Sequence, residues 1–142
     1  MGVRTTLFAV STEDAARIAA GELCDFDVSQ SCEIDKSGPG LWFFGGLESW
    51  ASASTLDLGD AEFRAFSAEE TAQLANSLRP EVITDALSKA ERDVFVKNEI
   101  YPFNASQTAD DVSSYLLEYS GRVAGFLKNA VKSNLSLIAV TT

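Results

Sequence analysis

The sequence predicts a single α+β domain over residues 1–142, in which a small mixed sheet holding both the N- and C-terminal strands packs against about four helices. Three observations carry that expectation. Residues 3–10 are β-branched and apolar enough for a strand. Residues 135–140 read as a second strand, apolar enough to be central, and pairing beside the first would tie both termini into one sheet. From Asp110 to about Lys132, apolar residues recur at steps of three and four, the signature of one helix with a single buried face.

The first strand leads to Ser11 or Thr12 followed by Glu13 and Asp14, a helix start: a hydroxyl caps a free amide and the acids complement the positive end of the helix. That helix runs to about Glu22, with Gly21 as its stop. Cys24 to Lys36 is dense in acids and serine and reads as irregular. Ser37-Gly38-Pro39-Gly40 is a turn into Leu41-Trp42-Phe43-Phe44-Gly45-Gly46, too short for periodicity to separate a strand from a buried helix. Residues 47–60 read as a loop anchored by Trp50, and Ala61 to Phe66 as a short strand.

Ser67-Ala68-Glu69-Glu70 has the spacing of a capping box and opens a helix to about residue 79. Pro80 ends that helix or opens the next, whose Ile83, Leu87, Ala90 and Val94 share a face over about 81–97. Ile100-Tyr101-Pro102-Phe103 leaves helical geometry, because the residue before a proline is pushed towards extended conformations. In the last helix Val112, Tyr115, Leu116, Tyr119, Val123, Phe126, Leu127, Ala130 and Val131 form the apolar face. Gly121 and Gly125 stand four apart in it, each costing about 1 kcal/mol relative to Ala, which predicts close approach of another backbone.

The chain has no histidine, so Cys/His zinc sites, Cys–His pairs and Ser-His-Asp hydrolase chemistry are excluded. Cys24 and Cys32, with no export signal before them, read as reduced thiols. No apolar run is long enough to span a membrane, so the expected location is the cytoplasm. The net charge of −10 is uneven: residues 1–63 hold eleven acids and three bases, residues 64–142 ten acids and eight bases. A field of that sign repels nucleic acid and anionic lipid and attracts basic proteins.

The glycines at 38, 40, 45 and 46 lack the Lys-Ser/Thr of a nucleotide loop and read as turn residues. Asp25, Asp27, Glu33 and Asp35 lack the EF-hand spacing and read as a solvated acidic stretch. Trp42, Phe43, Phe44 and Trp50 form either core or a binding patch, with core favoured. No catalytic, cofactor or metal constellation emerges.

Read in order, Ile34-Asp35-Lys36-Ser37 leading into Gly40-Leu41-Trp42-Phe43-Phe44, then Ile100-Tyr101-Pro102, then a long helix ending in Phe126-Leu127-Lys128-Asn129-Ala130 and a terminal strand, resemble the YfbM-like family, also called domain of unknown function 1877. The resemblance implies a compact bacterial α+β fold and no established activity. It also marks Asp35, Lys36, Trp42, Phe43 and Tyr101 as motif or interaction residues. The family pattern follows the Asp-Lys pair with a Trp-His step, which this chain lacks.

Two functions follow as expectations. The first is a non-enzymatic protein whose acidic half, residues 25–62, binds a basic protein, in the concrete form of an immunity-like protein that neutralises a basic toxin. The alternative is a small-molecule binder or enzyme with a pocket around Asp35, Lys36 and Tyr101, since buried Lys and Tyr can transfer protons. No cofactor is expected, and the oligomeric state is left open.

Overall fold

The structure, a computed structural model, describes residues 4–22, 25–35, 50, 53–57, 59–89 and 109–142. In chain order these form strand β1 (Arg4–Val10), helix α1 (Thr12–Ala19), strands β2 (Ser31–Asp35), β3 (Ser54–Asp57) and β4 (Glu62–Phe66), helices α2 (Ala68–Ser77), α3 (Pro80–Lys89) and α4 (Ala109–Lys132), and strand β5 (Ser136–Thr141). The sheet order is β2-β1-β5-β4-β3. The expected sheet with both terminal strands is present, and every described pairing in it is antiparallel rather than mixed.

β5 is central because it can be buried on both faces. Leu137, Ile138 and Ala139 are fully buried, with Ser136 beside them. It pairs with β1 from Thr5 opposite Thr141 to Val10 opposite Ser136, and with β4 from Glu62 opposite Thr141 to Phe66 opposite Leu137. The hydroxyls of Thr5 and Thr141 join the two strands at 3.1 Å.

Alternation along the strands separates two apolar layers. Leu7, Ile34, Phe66, Leu137 and Ala139 face a large core built with Leu74 and Leu78 of the α2 end, Ile83 of α3, and Leu116, Val123 and Leu127 of α4. Trp50 lies in this core, its ring 5.5 Å from that of Phe66, so it anchors its segment as expected. The opposite face carries Val10, Ala65 and Ile138 against Ala15 and Ile18 of α1, with Phe8, Phe26, Phe63 and Val140 half-buried around them. Phe26 meets Phe8 edge-on at 5.4 Å.

The helix ends follow local chemistry. The Ser11 hydroxyl accepts from Asp14 N–H at the start of α1. At its end Gly21, at φ +83°, donates to the Ile18 carbonyl, and Glu22 N–H to that of Arg17, a Schellman motif. At α2, Glu70 N–H donates to the Ser67 hydroxyl at 3.1 Å and Ser67 N–H to the Glu70 carboxylate at 3.0 Å, completing the expected capping box. Pro80 opens α3, where its missing N–H costs nothing. α4 ends in a second Schellman motif with Asn134 at φ 55°.

Several expectations change. The stretch from Cys24 to Lys36 is not wholly irregular: Ser31–Asp35 forms the edge strand β2, with Cys32 and Ile34 turned to the core. Residues 47–60 are not wholly loop, because Ser54–Asp57 forms β3 against β4. In both, pairing to an established strand outweighs the weak strand preference of Ser, Asp and Glu. Val131 is 36% exposed although it falls in the apolar register of α4. Gly121 and Gly125 are exposed, and among the described residues nothing lies within 4 Å of a Cβ built on either, so no backbone approaches them. Leu41 to Gly46, Ala90 to Val94 and Ile100 to Phe103 lie outside the described residues.

Candidate functional surfaces

Of the residues singled out from the sequence, Asp35 ends β2, its Cα opposite that of Arg4 at the sheet edge. Lys36, Trp42, Phe43 and Tyr101 lie outside the described residues, and with them the pocket expected around Asp35, Lys36 and Tyr101. Among the described residues no three His, Cys, Asp or Glu side chains gather as a metal site, and no helix is long and apolar enough to cross a membrane.

The described cations of the acidic half, Arg4 and Arg17, are engaged in ion pairs, and Arg64 just beyond it is engaged as well. Arg4 pairs with Glu33 at 3.2 Å, Arg17 with Glu22 at 3.3 Å and Arg64 with Glu62 at 2.8 Å. Asp25, Asp27, Asp57 and Asp60 are exposed and pair with no cation among the described residues. Asp27 accepts from Ser29 N–H and Asp57 from Gly59 N–H, each at 2.9 Å, so both shape a turn while their charge faces water. The bonds from Ser29 hold the Asp27 carboxyl below its ordinary pKa.

Arg64 joins the acidic rim to the core. Its Nε bonds Glu62, a terminal nitrogen donates to the Trp50 carbonyl at 3.0 Å, and its guanidinium lies 5.2 Å from the Trp50 ring centre. It also balances Glu62, which stands directly opposite Asp57 across the β3–β4 pair.

A second feature had no signal in the sequence. Where α2, the start of α3 and α4 meet there is an open groove of about 460 Å³. Ala72 and Ala75 of α2 face Ala124, Gly125 and Val131 of α4 across it, and Arg79, Pro80, Glu81 and Lys128 complete the lining. The space stands open because the helices are held apart at this point and the Ala and Gly side chains are too small to fill it. Arg79 Nε is held by the Asn76 carbonyl at 3.2 Å. A smaller cleft of about 210 Å³ lies between α1 and the β4–α2 junction, lined by Ala15, Ala19, Phe66 and Glu70 among others.

Cys32, a free thiol beside the large core, has its pKa pushed up by burial, with the Arg122 charge acting in the other direction. It sits opposite Leu7 on β1 and has the surroundings of a packing residue rather than a nucleophile.

Comparison with known proteins agrees with the order of motifs described above. No curated protein and no solved structure matches the chain. The model of the family described as a domain of unknown function, DUF1877, matches residues 1–140, and the chain belongs to that family.

Proposed function

We propose that the protein is a non-enzymatic binding domain that engages a basic protein through the acidic surface of its N-terminal half. Its concrete form is an immunity-like protein that masks the cationic surface of a toxin. The observation that supports the reading is the uneven charge balance: Arg4 and Arg17, the described cations of that half, are held in ion pairs, while Asp25, Asp27, Asp57 and Asp60 face solvent with no paired cation among the described residues. Such a field speeds encounter with a basic partner and disfavours acidic ones.

The test replaces all four with Asn, which keeps the side-chain oxygen that caps the turns after Asp27 and Asp57 while removing four charges. The tagged protein captures its partner from native-host extract at low salt. The purified pair is then measured at about 50 and 300 mM salt, across which screening of exposed charges tightens strongly. The expected result is a basic partner whose affinity falls about tenfold or more with either salt or the Asn variant. Recovery of no basic protein, or an affinity indifferent to both changes, overturns the reading.

A further inference from the structure

The cations of this chain are not distributed like its acids. Arg4, Arg17, Arg64, Lys89 and Arg122 each lie within 4 Å of a carboxylate. Among the described residues, Arg79, Lys128 and Lys132 form no ion pair. Two of these three, Arg79 and Lys128, line the groove between α2 and α4, and Lys132 follows one turn later on the same helix. Glu81 offsets one charge, in the first turn of α3 where the helix dipole favours it. Among the described residues, the lining therefore keeps one net positive charge in a molecule whose total is −10.

The remaining lining is mainly apolar and small, including Ala72, Ala75, Ala124 and Val131. The volume falls in the range of small-ligand sites, roughly 300–1,000 Å³. An apolar trough whose guanidinium and ammonium form no ion pair among the described residues, with one net positive charge, complements a molecule with a hydrocarbon or aryl body and one anionic head. Arg offers a planar fork to a carboxylate and Lys a point charge beside it. We propose that this groove is a binding site for a small amphipathic carboxylate, taken up as a free molecule, on a surface distinct from the acidic half.

Octanoate, used below its aggregation concentration, is the probe, and octylammonium, with the same chain and opposite charge, is the control. Amide chemical shifts of the labelled protein are followed during each titration. Octanoate should give saturable shifts centred on Ala72, Ala75, Gly125 and Val131, and octylammonium none. An Arg79→Gln/Lys128→Gln variant should bind octanoate about tenfold more weakly. Gly125→Leu is the steric test: the site is exposed, a Cβ there meets nothing within 4 Å, and Leu is the better helix former, so the side chain fills the trough without unfolding the helix. It should abolish the shifts while leaving the thermal midpoint unchanged or raised. The proposal is overturned by absent saturation, by equal response to octylammonium, by binding that survives Gly125→Leu, or by association with anionic vesicles without octanoate shifts.

Discussion

Replacing Arg64 with Met removes a charge from the boundary between core and acidic rim while keeping most of the aliphatic stem. Three interactions go with it: the bond to the Trp50 carbonyl, the contact with the Trp50 ring, and the bond to Glu62. A hydrogen bond from a charged donor contributes about 1.5–3 kcal/mol. The cation–π contact adds about 0.5–1 kcal/mol. Losing the cation also leaves Glu62 facing Asp57 across the pair, a like-charge juxtaposition costing about 0.2–1 kcal/mol. The Arg64 side chain retains 19% exposure, so water recovers part of the loss and the lower ends of these ranges apply. The expected destabilisation is about 2 kcal/mol in urea unfolding, with an unchanged slope against denaturant. Glu62→Gln alone should cost less than about 1 kcal/mol, because its carboxylate is more exposed than the guanidinium. A loss for Arg64→Met smaller than about 0.5 kcal/mol would refute the view that this arginine fastens the Trp50 segment to the sheet.

Other perturbations test separate elements. Ser67→Ala removes the hydroxyl that accepts from Glu70 N–H while keeping the backbone N–H that donates to the Glu70 carboxylate, and should lower stability by about 1 kcal/mol, read as a shift in denaturation midpoint. Gly125→Ala should raise stability by about 0.5–1 kcal/mol, since the helix gains propensity and the methyl meets open space; a loss would reveal a close approach after all. In a Cys24→Ser background, Cys32 should react with iodoacetamide at pH 8 several-fold more slowly when folded than in urea, because burial favours the protonated thiol. The same shift fixes the pH dependence. A thiol whose folded pKa lies above its ordinary 9.0 gives stability that is fully present below that value and is lost as pH rises through the folded one. Cys32→Ala should remove that alkaline component, checked by comparing unfolding at pH 7 and pH 10.

Elements whose signal is local were legible in the sequence. Ser67 and Glu70 announced the start of α2 because the capping box is a four-residue event. β5 was read as central because an unbroken apolar run suits burial on two faces. The edge strands were missed for the converse reason. β2 gives the core only Cys32 and Ile34, and β3 offers a half-buried Leu56, so neither has the composition of a strand until a neighbour supplies its hydrogen bonds. The glycines of α4 misled in the same way: their spacing suggested contact, whereas what they do depends on how far α2 stands from them. The groove is a tertiary product of Ala72, Ala75, Ala124 and Gly125, none of which has chemistry that marks it in isolation. The site around Lys36 and Tyr101 lies outside the described residues.

The two proposed surfaces make opposite demands on charge, and salt separates them. An anionic ligand approaching a molecule of net charge −10 is repelled at long range and attracted only within the groove, where Arg79 and Lys128 are close. Raising salt shortens the screening length from about 30 Å at 0.01 M to about 8 Å at 0.15 M. The distant repulsion is therefore removed first, while attraction at contact distance is weakened less. Octanoate association should hold constant or quicken over that range before it declines, whereas a basic protein, drawn in by the same distant field, should associate more slowly from the outset. Four Asp→Asn substitutions on the acidic half should mimic added salt for both ligands, helping the carboxylate and hindering the basic protein. Loss of octanoate association from the first increment of salt would mean that the groove cations act alone, outside the field of the acidic half, whereas basic-protein association indifferent to salt would mean that this field does not draw the partner in.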